Sequence, residues 1–135
     1  MIRKISHIAF ATRSIAVFLD FYKTLGLEME NMEVVEEQGV KIAMLRVGDV
    51  HIELIEPLGK DSPVGRFLEK RGEGFHHISF EVDDIKSEIK RLKEKDVRLL
   101  SDKPQRGMQK SRITFIHPAS TGGVLMELCQ KETQD

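Results

Sequence analysis

The chain carries one strand pattern twice, with the second copy 70 residues after the first. In SHIAFAT apolar residues alternate with His7, and in FHHISFEV they alternate with His77. Such alternation is typical of a β-strand that has one apolar face. Neither strand needs a histidine to complete its packing. The recurrence of histidine on the opposite face therefore indicates a role beyond the core.

The repeat continues after each histidine strand. A helix-spaced apolar pattern follows, over residues 15–25 in the first half and from Ile85 to Lys95 in the second. Each half then ends in a strand with an inward carboxylate, Glu53 in HIELIEP and Glu127 in VLMELCQ. Because side chains alternate along a strand, both histidines and both glutamates lie on the strand face opposite the larger apolar residues. We expect the four side chains to converge on one face.

The repeat predicts an α+β fold built from two tandem βαβββ modules. Residues 1–135 are expected to form one domain, with module one at about 1–57, a linker at 58–74 and module two at about 75–130. A pseudo-twofold axis would join the modules into a curved mixed sheet with helices outside and a central metal cleft. The last three strands are predicted at 97–100, 111–117 and 124–130, with a loop at 103–110. The tail KETQD is expected to fray.

Composition excludes several classes of function. The chain is 40% hydrophobic and 32% charged, with a net charge of −1, so it has no cationic excess for nucleic-acid phosphates. No apolar run approaches the ~20 residues that span a bilayer, and MIRKISHIAF has no features of a secretory signal. A single cysteine, Cys129, cannot form an internal disulfide. These features favour the cytoplasm and predict no membrane partner.

Two histidines and two carboxylates facing one cavity favour a divalent metal, because imidazole and carboxylate are ligands of such ions. A single inward histidine is more often a hydrogen-bonded core residue, and a lone glutamate can be solvated. Recurrence at equivalent places in both halves shifts the balance towards a metal site at His7, Glu53, His77 and Glu127. The other histidines and the thiol offer no such recurrence.

Several segments resemble the methylmalonyl-CoA epimerase family of the vicinal-oxygen-chelate, or glyoxalase/dioxygenase-like, superfamily. They include SHIAF, FYKTLGLE, IELIEPLGKDSPVGRFLEK, GFHHISFEVDDI and ITFIHPASTGGVLMEL. The resemblance implies a divalent metal held by His7, Glu53, His77 and Glu127. It points to Co²⁺ in vitro, with Zn²⁺, Mn²⁺, Ni²⁺ or Mg²⁺ as alternatives.

The resemblance also implies a reaction, the interconversion of (R)- and (S)-methylmalonyl-CoA by proton transfer at C2 through an enediolate. Glu127 and Glu53 are the candidate acid and base on the two faces of the substrate. Some family members carry a second glutamate base three residues after Gln-Gly, where this chain has Ile42. The second base is then unassigned, and Glu53 or water could serve.

The loop GMQK, residues 107–110, replaces a more glycine-rich family loop near the substrate. Candidate contacts for the CoA phosphates are Arg106, Lys110 and Arg112. By analogy with the superfamily we expect a homodimer.

The same superfamily offers three alternative functions. A ring-cleaving dioxygenase uses two His and one Glu, but Glu53 would crowd its open positions and such enzymes are usually longer. A glyoxalase I-type lyase shares the ligand pattern and acts on a glutathione thiohemiacetal. A non-catalytic small-molecule-binding protein would need no metal, which four intact ligand types argue against. The metal content of protein purified without added metal separates the last class.

Overall fold

The strand–helix–three-strand order occurs twice in the computed structural model, which describes residues 1–132. Residues 133–135, part of the tail expected to fray, lie outside the described chain. The helices are α1 (Ile15–Thr24), α2 (Pro63–Arg71) and α3 (Ile85–Glu94). The first four strands are β1 (Ile2–Ala11), β2 (Met29–Val35), β3 (Val40–Val47) and β4 (Val50–Pro57). The remaining strands are β5 (Gly74–Val82), β6 (Gln105–Arg106), β7 (Arg112–Ile116) and β8 (Met126–Gln130).

The strands follow the order β2-β3-β4-β1-β5-β8-β7-β6 in an eight-stranded sheet. Two pairs are parallel, β1 with β4 and β5 with β8. The pairs β2/β3, β3/β4, β6/β7 and β7/β8 are antiparallel. The sheet is therefore mixed, and the predicted α+β class with two βαβββ repeats is confirmed.

Contacts within the described chain divide it into two units. One unit is His7–His76, which contains α1, α2 and the strands from β2 to β4. The other comprises Met1–Ser6 together with the described residues from His77 onward. Strand β1 thus gives its first residues to one unit and its last residues to the other. Within the second unit, Arg3 Nη1 lies 2.8 Å from Asp83 Oδ1, which ties β1 to the start of α3.

The core of the His7–His76 unit lies between α1 and one face of its strands. Ile15, Ala43, Leu45 and Leu54 are its buried members, and each is 1% exposed or less. Half-buried residues pack around them: Phe10, Phe18, Leu19, Tyr22, Leu27 and Ile52. The 3.6-residue spacing on α1 and the two-residue spacing on the strands bring these side chains to one layer.

The second unit repeats this arrangement with α3. Its buried members are Val82, Ile85, Ile89, Ile116 and Leu128. Phe80, Leu92, Val97, Leu99 and Met126 pack against them. Ile85 corresponds to Ile15 in the sequence repeat, and both lie at the first residue of their helix. Each half of the repeat therefore has its own helix-on-sheet core.

The linker helix α2 begins and ends where the sequence indicates. Ser62 is the N-cap residue and its side chain accepts a hydrogen bond from the N–H of Gly65. Pro63 occupies the first turn, where its missing N–H costs no hydrogen bond. Gly72, with a φ of 76°, ends the helix. Helix α2 packs against β4 and so belongs to the His7–His76 unit.

The prediction of a strand at 97–100 is wrong. Only Leu99 forms a bridge, with Ile116. Two backbone hydrogen bonds flank that bridge, from His117 N–H to Arg98 O and from Leu100 N–H to Phe115 O. The chain bends immediately afterwards, so pairing stops after one residue. The extra strand is instead β6, which lies within the segment predicted as a loop and pairs with the start of β7.

The sequence predicts no membrane partner. Within residues 1–132, none of the helices has the length and apolar character needed to cross a bilayer.

Candidate metal centre

His7 and Glu53 form the first half-site, on the neighbouring parallel strands β1 and β4. The register places Ala9 beside Glu53. His7 Nδ1 lies 3.3 Å from Glu53 Oε2. Each residue is only 6% exposed. The pair occupies the strand faces opposite the core of this unit, because its neighbours Phe10, Ile52 and Leu54 point into that core.

His77, Ser79 and Glu127 form the second half-site, on the parallel strands β5 and β8. Here the register places Ser79 beside Glu127. His77 Nε2 lies 3.5 Å from Glu127 Oε2, and both residues are 4% exposed. The Ser79 hydroxyl donates a 2.7 Å hydrogen bond to Glu127 Oε1. The edge of the His77 ring meets Phe115 at a centroid distance of 5.3 Å.

The two half-sites are copies of one local arrangement. In each unit a histidine and a glutamate from neighbouring parallel strands lie side by side on the face opposite the core. The glutamate stands beside a small residue of the histidine strand, Ala9 in one copy and Ser79 in the other. The sequence repeat therefore reproduces a pair of potential ligands and not only a fold.

The donor atoms of each half-site fit two ligands of a divalent metal. An N–H···O hydrogen bond usually spans about 2.7–3.2 Å, and both His–Glu distances exceed that range, at 3.3 and 3.5 Å. Two ligand atoms each bonded to one ion at about 2.1 Å are separated by about 3 to 3.5 Å. Burial of a carboxylate is costly without a cationic partner. The chemistry, spacing and burial of each pair thus suit a metal ion.

The remaining histidines and the cysteine have other surroundings. His51 Nε2 lies 2.8 Å from Glu30 Oε2 on β2. The ring of His76 packs edge-on against Phe67 at 4.8 Å. His117 Nδ1 accepts the N–H of Ala119 at the start of a 3-10 turn. Cys129 is a buried thiol, not a disulfide, next to the core residue Leu128.

Ile42, where some family members carry a glutamate, lies on β3 in the His7–His76 unit. It is 6% exposed, and it stands between Ile55 of β4 and Glu33 of β2. A hydrocarbon side chain at this place can neither donate nor accept a proton. Parity places Ile42 with Met44, the cross-strand partner of Glu53, on the half-site face of β3.

Two residues of the second half-site were not assigned a role from the sequence. Ser79 lies on the same strand face as His77, two residues further along β5. Its position beside Glu127 depends on the pairing of β5 with β8, which the sequence alone does not specify. Phe115 is the cross-strand partner of Glu127 on β7. Its contact with His77 depends on a strand pairing that no local pattern specifies.

The loop after β1 is held by an exposed carboxylate. Glu73 Oε2 accepts the backbone N–H of Arg13 and the hydroxyl of Thr12, each at 2.9 Å. The N–H bond from Arg13 and then the bond from Thr12 favour the ionised form, so the pKa of Glu73 lies below its ordinary value of 4.5. This contact fixes the segment between the His7 strand and α1.

The sequence matches a family model over residues 6–115, described as the Glyoxalase/Bleomycin resistance protein/Dioxygenase superfamily. It is 38% identical over 129 residues to the mitochondrial methylmalonyl-CoA epimerase of Bos taurus, covering 94% of this chain and 74% of that protein. It is 37% identical over 133 residues to the ethylmalonyl-CoA/methylmalonyl-CoA epimerase of Cereibacter sphaeroides, covering 96% and 99% of the two chains.

A similar solved structure is also a methylmalonyl-CoA epimerase. A methylmalonyl-CoA epimerase in complex with methylmalonyl-CoA and NH4+ superposes with a TM-score of 0.95 at 41% identity, covering 98% of this chain and 97% of that one. The match extends over both units of the repeat. The chain belongs to the methylmalonyl-CoA epimerase family, within the glyoxalase/bleomycin resistance protein/dioxygenase superfamily.

Proposed function

We propose that this protein is a metal-dependent epimerase that interconverts (R)- and (S)-methylmalonyl-CoA by moving the proton at C2. The observation that carries the proposal is the buried His–Glu pair found at the same register in both halves of the repeat. Membership of the epimerase family supports the choice of substrate.

The proposed ligands of a single divalent metal are His7, Glu53, His77 and Glu127. Each is buried, and each offers an imidazole nitrogen or a carboxylate oxygen. When bound, such an ion would supply positive charge that offsets the negative charge developing on the substrate oxygens. Co²⁺ is the ion we would test first, followed by Zn²⁺, Mn²⁺, Ni²⁺ and Mg²⁺.

The two glutamates are the groups proposed to remove and return the proton at C2. In one direction the ionised Glu127 takes the proton from one face of the substrate, which leaves an enediolate, and the protonated Glu53 gives its proton to the other face. In the reverse direction the two glutamates exchange these roles. Ile42 cannot take part because it has no titratable group. The pseudo-equivalence of the two half-sites supports placing one carboxylate on each face, since the reaction must run in both directions.

The CoA phosphates are proposed to contact Arg106, Lys110 and Arg112. Arg106 and Arg112 are exposed cross-strand partners on β6 and β7. Two guanidinium groups on neighbouring strands offer several N–H donors in a geometry that suits phosphate oxygens. Their placement side by side supports a phosphate contact at this edge of the sheet.

The test is deuterium incorporation at C2 of methylmalonyl-CoA in heavy water, with and without added Co²⁺. We expect metal-dependent exchange that accompanies epimerisation. An absence of exchange with every divalent metal would overturn the proposal and favour a glutathione adduct or simple binding. Glu127→Gln is the matched variant, since it keeps the size of the side chain but removes its basic carboxylate.

We also propose that residues 1–135 form one domain, since β1 contributes to both units, and that the protein works in the cytoplasm. A homodimer is proposed through α1. Val17 and Phe21 lie on one side of this helix, and Leu25, the C-cap residue, continues their four-residue spacing. These side chains are 66%, 55% and 59% exposed. Sedimentation of wild type and Phe21→Asp tests this, with a dimer expected only for wild type.

A further inference from the structure

The two carboxylates of the repeat differ in what stands beside them. Glu127 Oε1 accepts the hydroxyl proton of Ser79 at 2.7 Å, while Oε2 of the same carboxylate lies 3.5 Å from His77 Nε2. The bonded oxygen and the oxygen that faces the histidine are therefore different atoms. Ser79 is 0% exposed, so water does not compete for this hydrogen bond.

The corresponding place in the first half-site is occupied by Ala9. Ala9 is the strand neighbour of Glu53 as Ser79 is of Glu127. It is also 0% exposed, but its methyl group has no proton to donate. The same backbone position thus carries a hydrogen-bond donor in one copy and none in the other.

We propose that Ser79 is a positioning residue that makes Glu127 a one-oxygen ligand, so that the two pseudo-equivalent glutamates are not interchangeable. This inference rests on the metal site proposed above. The terminal torsion of a glutamate has a broad, roughly two-fold preference. The bond from Ser79 selects the orientation in which Oε1 faces the Ser79 hydroxyl and Oε2 lies beside His77.

The expected loss of metal affinity can be judged from other residues that orient a metal ligand by a hydrogen bond. Loss of such a hydrogen-bond partner typically lowers metal affinity about 10- to 100-fold. A carboxylate released from Ser79 could also rotate and offer both oxygens. That change would alter the coordination geometry as well as the affinity, and the visible spectrum of Co²⁺ reports on geometry.

The full chain should be titrated with Co²⁺ as wild type, Ser79→Ala and Thr114→Val. Ser79→Ala is compatible with the fold because alanine already fills the equivalent buried position at Ala9. Thr114→Val is the control. Thr114 is 1% exposed, lies opposite the core residue Leu128 on β7 and β8, and donates its hydroxyl to Ser101 O. The Thr114→Val substitution therefore removes a buried hydroxyl on the sheet face away from Glu127.

We expect Ser79→Ala to weaken Co²⁺ binding by about 10-fold or more and to change the visible spectrum of the bound ion. Thr114→Val should keep the wild-type affinity and spectrum even where it lowers the melting temperature. An unchanged affinity and spectrum in Ser79→Ala would overturn the inference about Ser79. Failure of the wild type to bind any Co²⁺ would instead overturn the proposed metal site.

Discussion

The side chain of Glu56 accepts a hydrogen bond from the backbone N–H of Ile15, the first residue of α1, at 2.9 Å. Ser14, the N-cap residue, makes no side-chain cap bond. The end of β4 therefore caps the helix that follows β1. In the second unit Gln130 Oε1 accepts the N–H of Ile85 at 2.9 Å, in the equivalent position. Each carboxylate strand is thus tied to the helix of its own half.

Removal of this cap should cost stability. Glu56→Ala leaves the N–H of Ile15 without its side-chain acceptor, and we expect a loss of about 1 kcal/mol. For a chain of this size that corresponds to a melting temperature lower by about 4 °C. Glu56→Gln keeps an acceptor oxygen and is the control. Equal melting temperatures for the two variants would argue against the cap.

Gly65 of α2 is required because the helix lies close to the backbone of the loop that precedes it. A Cβ at this position would lie 2.5 Å from Gly59 O and 2.6 Å from Lys60 O, which are backbone atoms. We expect Gly65→Ala to destabilise the protein by about 1–3 kcal/mol in urea unfolding. Gly59→Ala, whose added Cβ meets nothing within 4 Å, should be tolerated. A Gly65→Ala variant as stable as Gly59→Ala would contradict this packing.

Glu73 should make stability depend on pH. Its pKa is lowered in the folded protein, chiefly by the N–H of Arg13 and then by the hydroxyl of Thr12. The ionised form therefore stabilises the fold above the ordinary pKa of 4.5, and this contribution is lost as the pH falls through the lowered value. Wild type should exceed Glu73→Gln in stability at pH 7, and the difference should shrink below about pH 4.5. A difference that is the same at both pH values would refute this role.

Glu127 is expected to move a proton as well as to hold metal. In Glu127→Gln the amide oxygen can still ligate, but the basic carboxylate is lost. We predict that the epimerisation rate falls about 10²- to 10⁴-fold while Co²⁺ remains bound. Full activity in this variant would remove Glu127 from the proton transfer.

Much of the fold could be predicted because each half repeats the same local signals. The alternation in SHIAFAT and FHHISFEV indicated the central strands, and the helix-spaced apolar pattern after each of them indicated α1 and α3. The segment at 97–100 could not be predicted, because whether an apolar segment pairs along its length depends on a bend in the following chain. Strand β6 was missed for a related reason, since a two-residue strand is defined by its partner β7.

The side-by-side placement of each His–Glu pair could also be predicted from strand alternation and recurrence, while their role as metal ligands stays a prediction. His7 with Glu53, and His77 with Glu127, lie beside each other as the repeat implies. The supporting contacts were harder to anticipate. The Glu56 and Gln130 caps and the ring of Phe115 beside His77 depend on side-chain direction and strand register, neither of which a single sequence displays.

The proposed metal site requires ligands from both halves of the repeat. Equilibrium dialysis against Co²⁺, followed by metal analysis of wild type, His7→Ala and His77→Ala, tests this directly. We predict one Co²⁺ per wild-type chain and a loss of affinity in both variants, whichever half-site is altered. Two ions per wild-type chain, with one retained in each variant, would contradict the account.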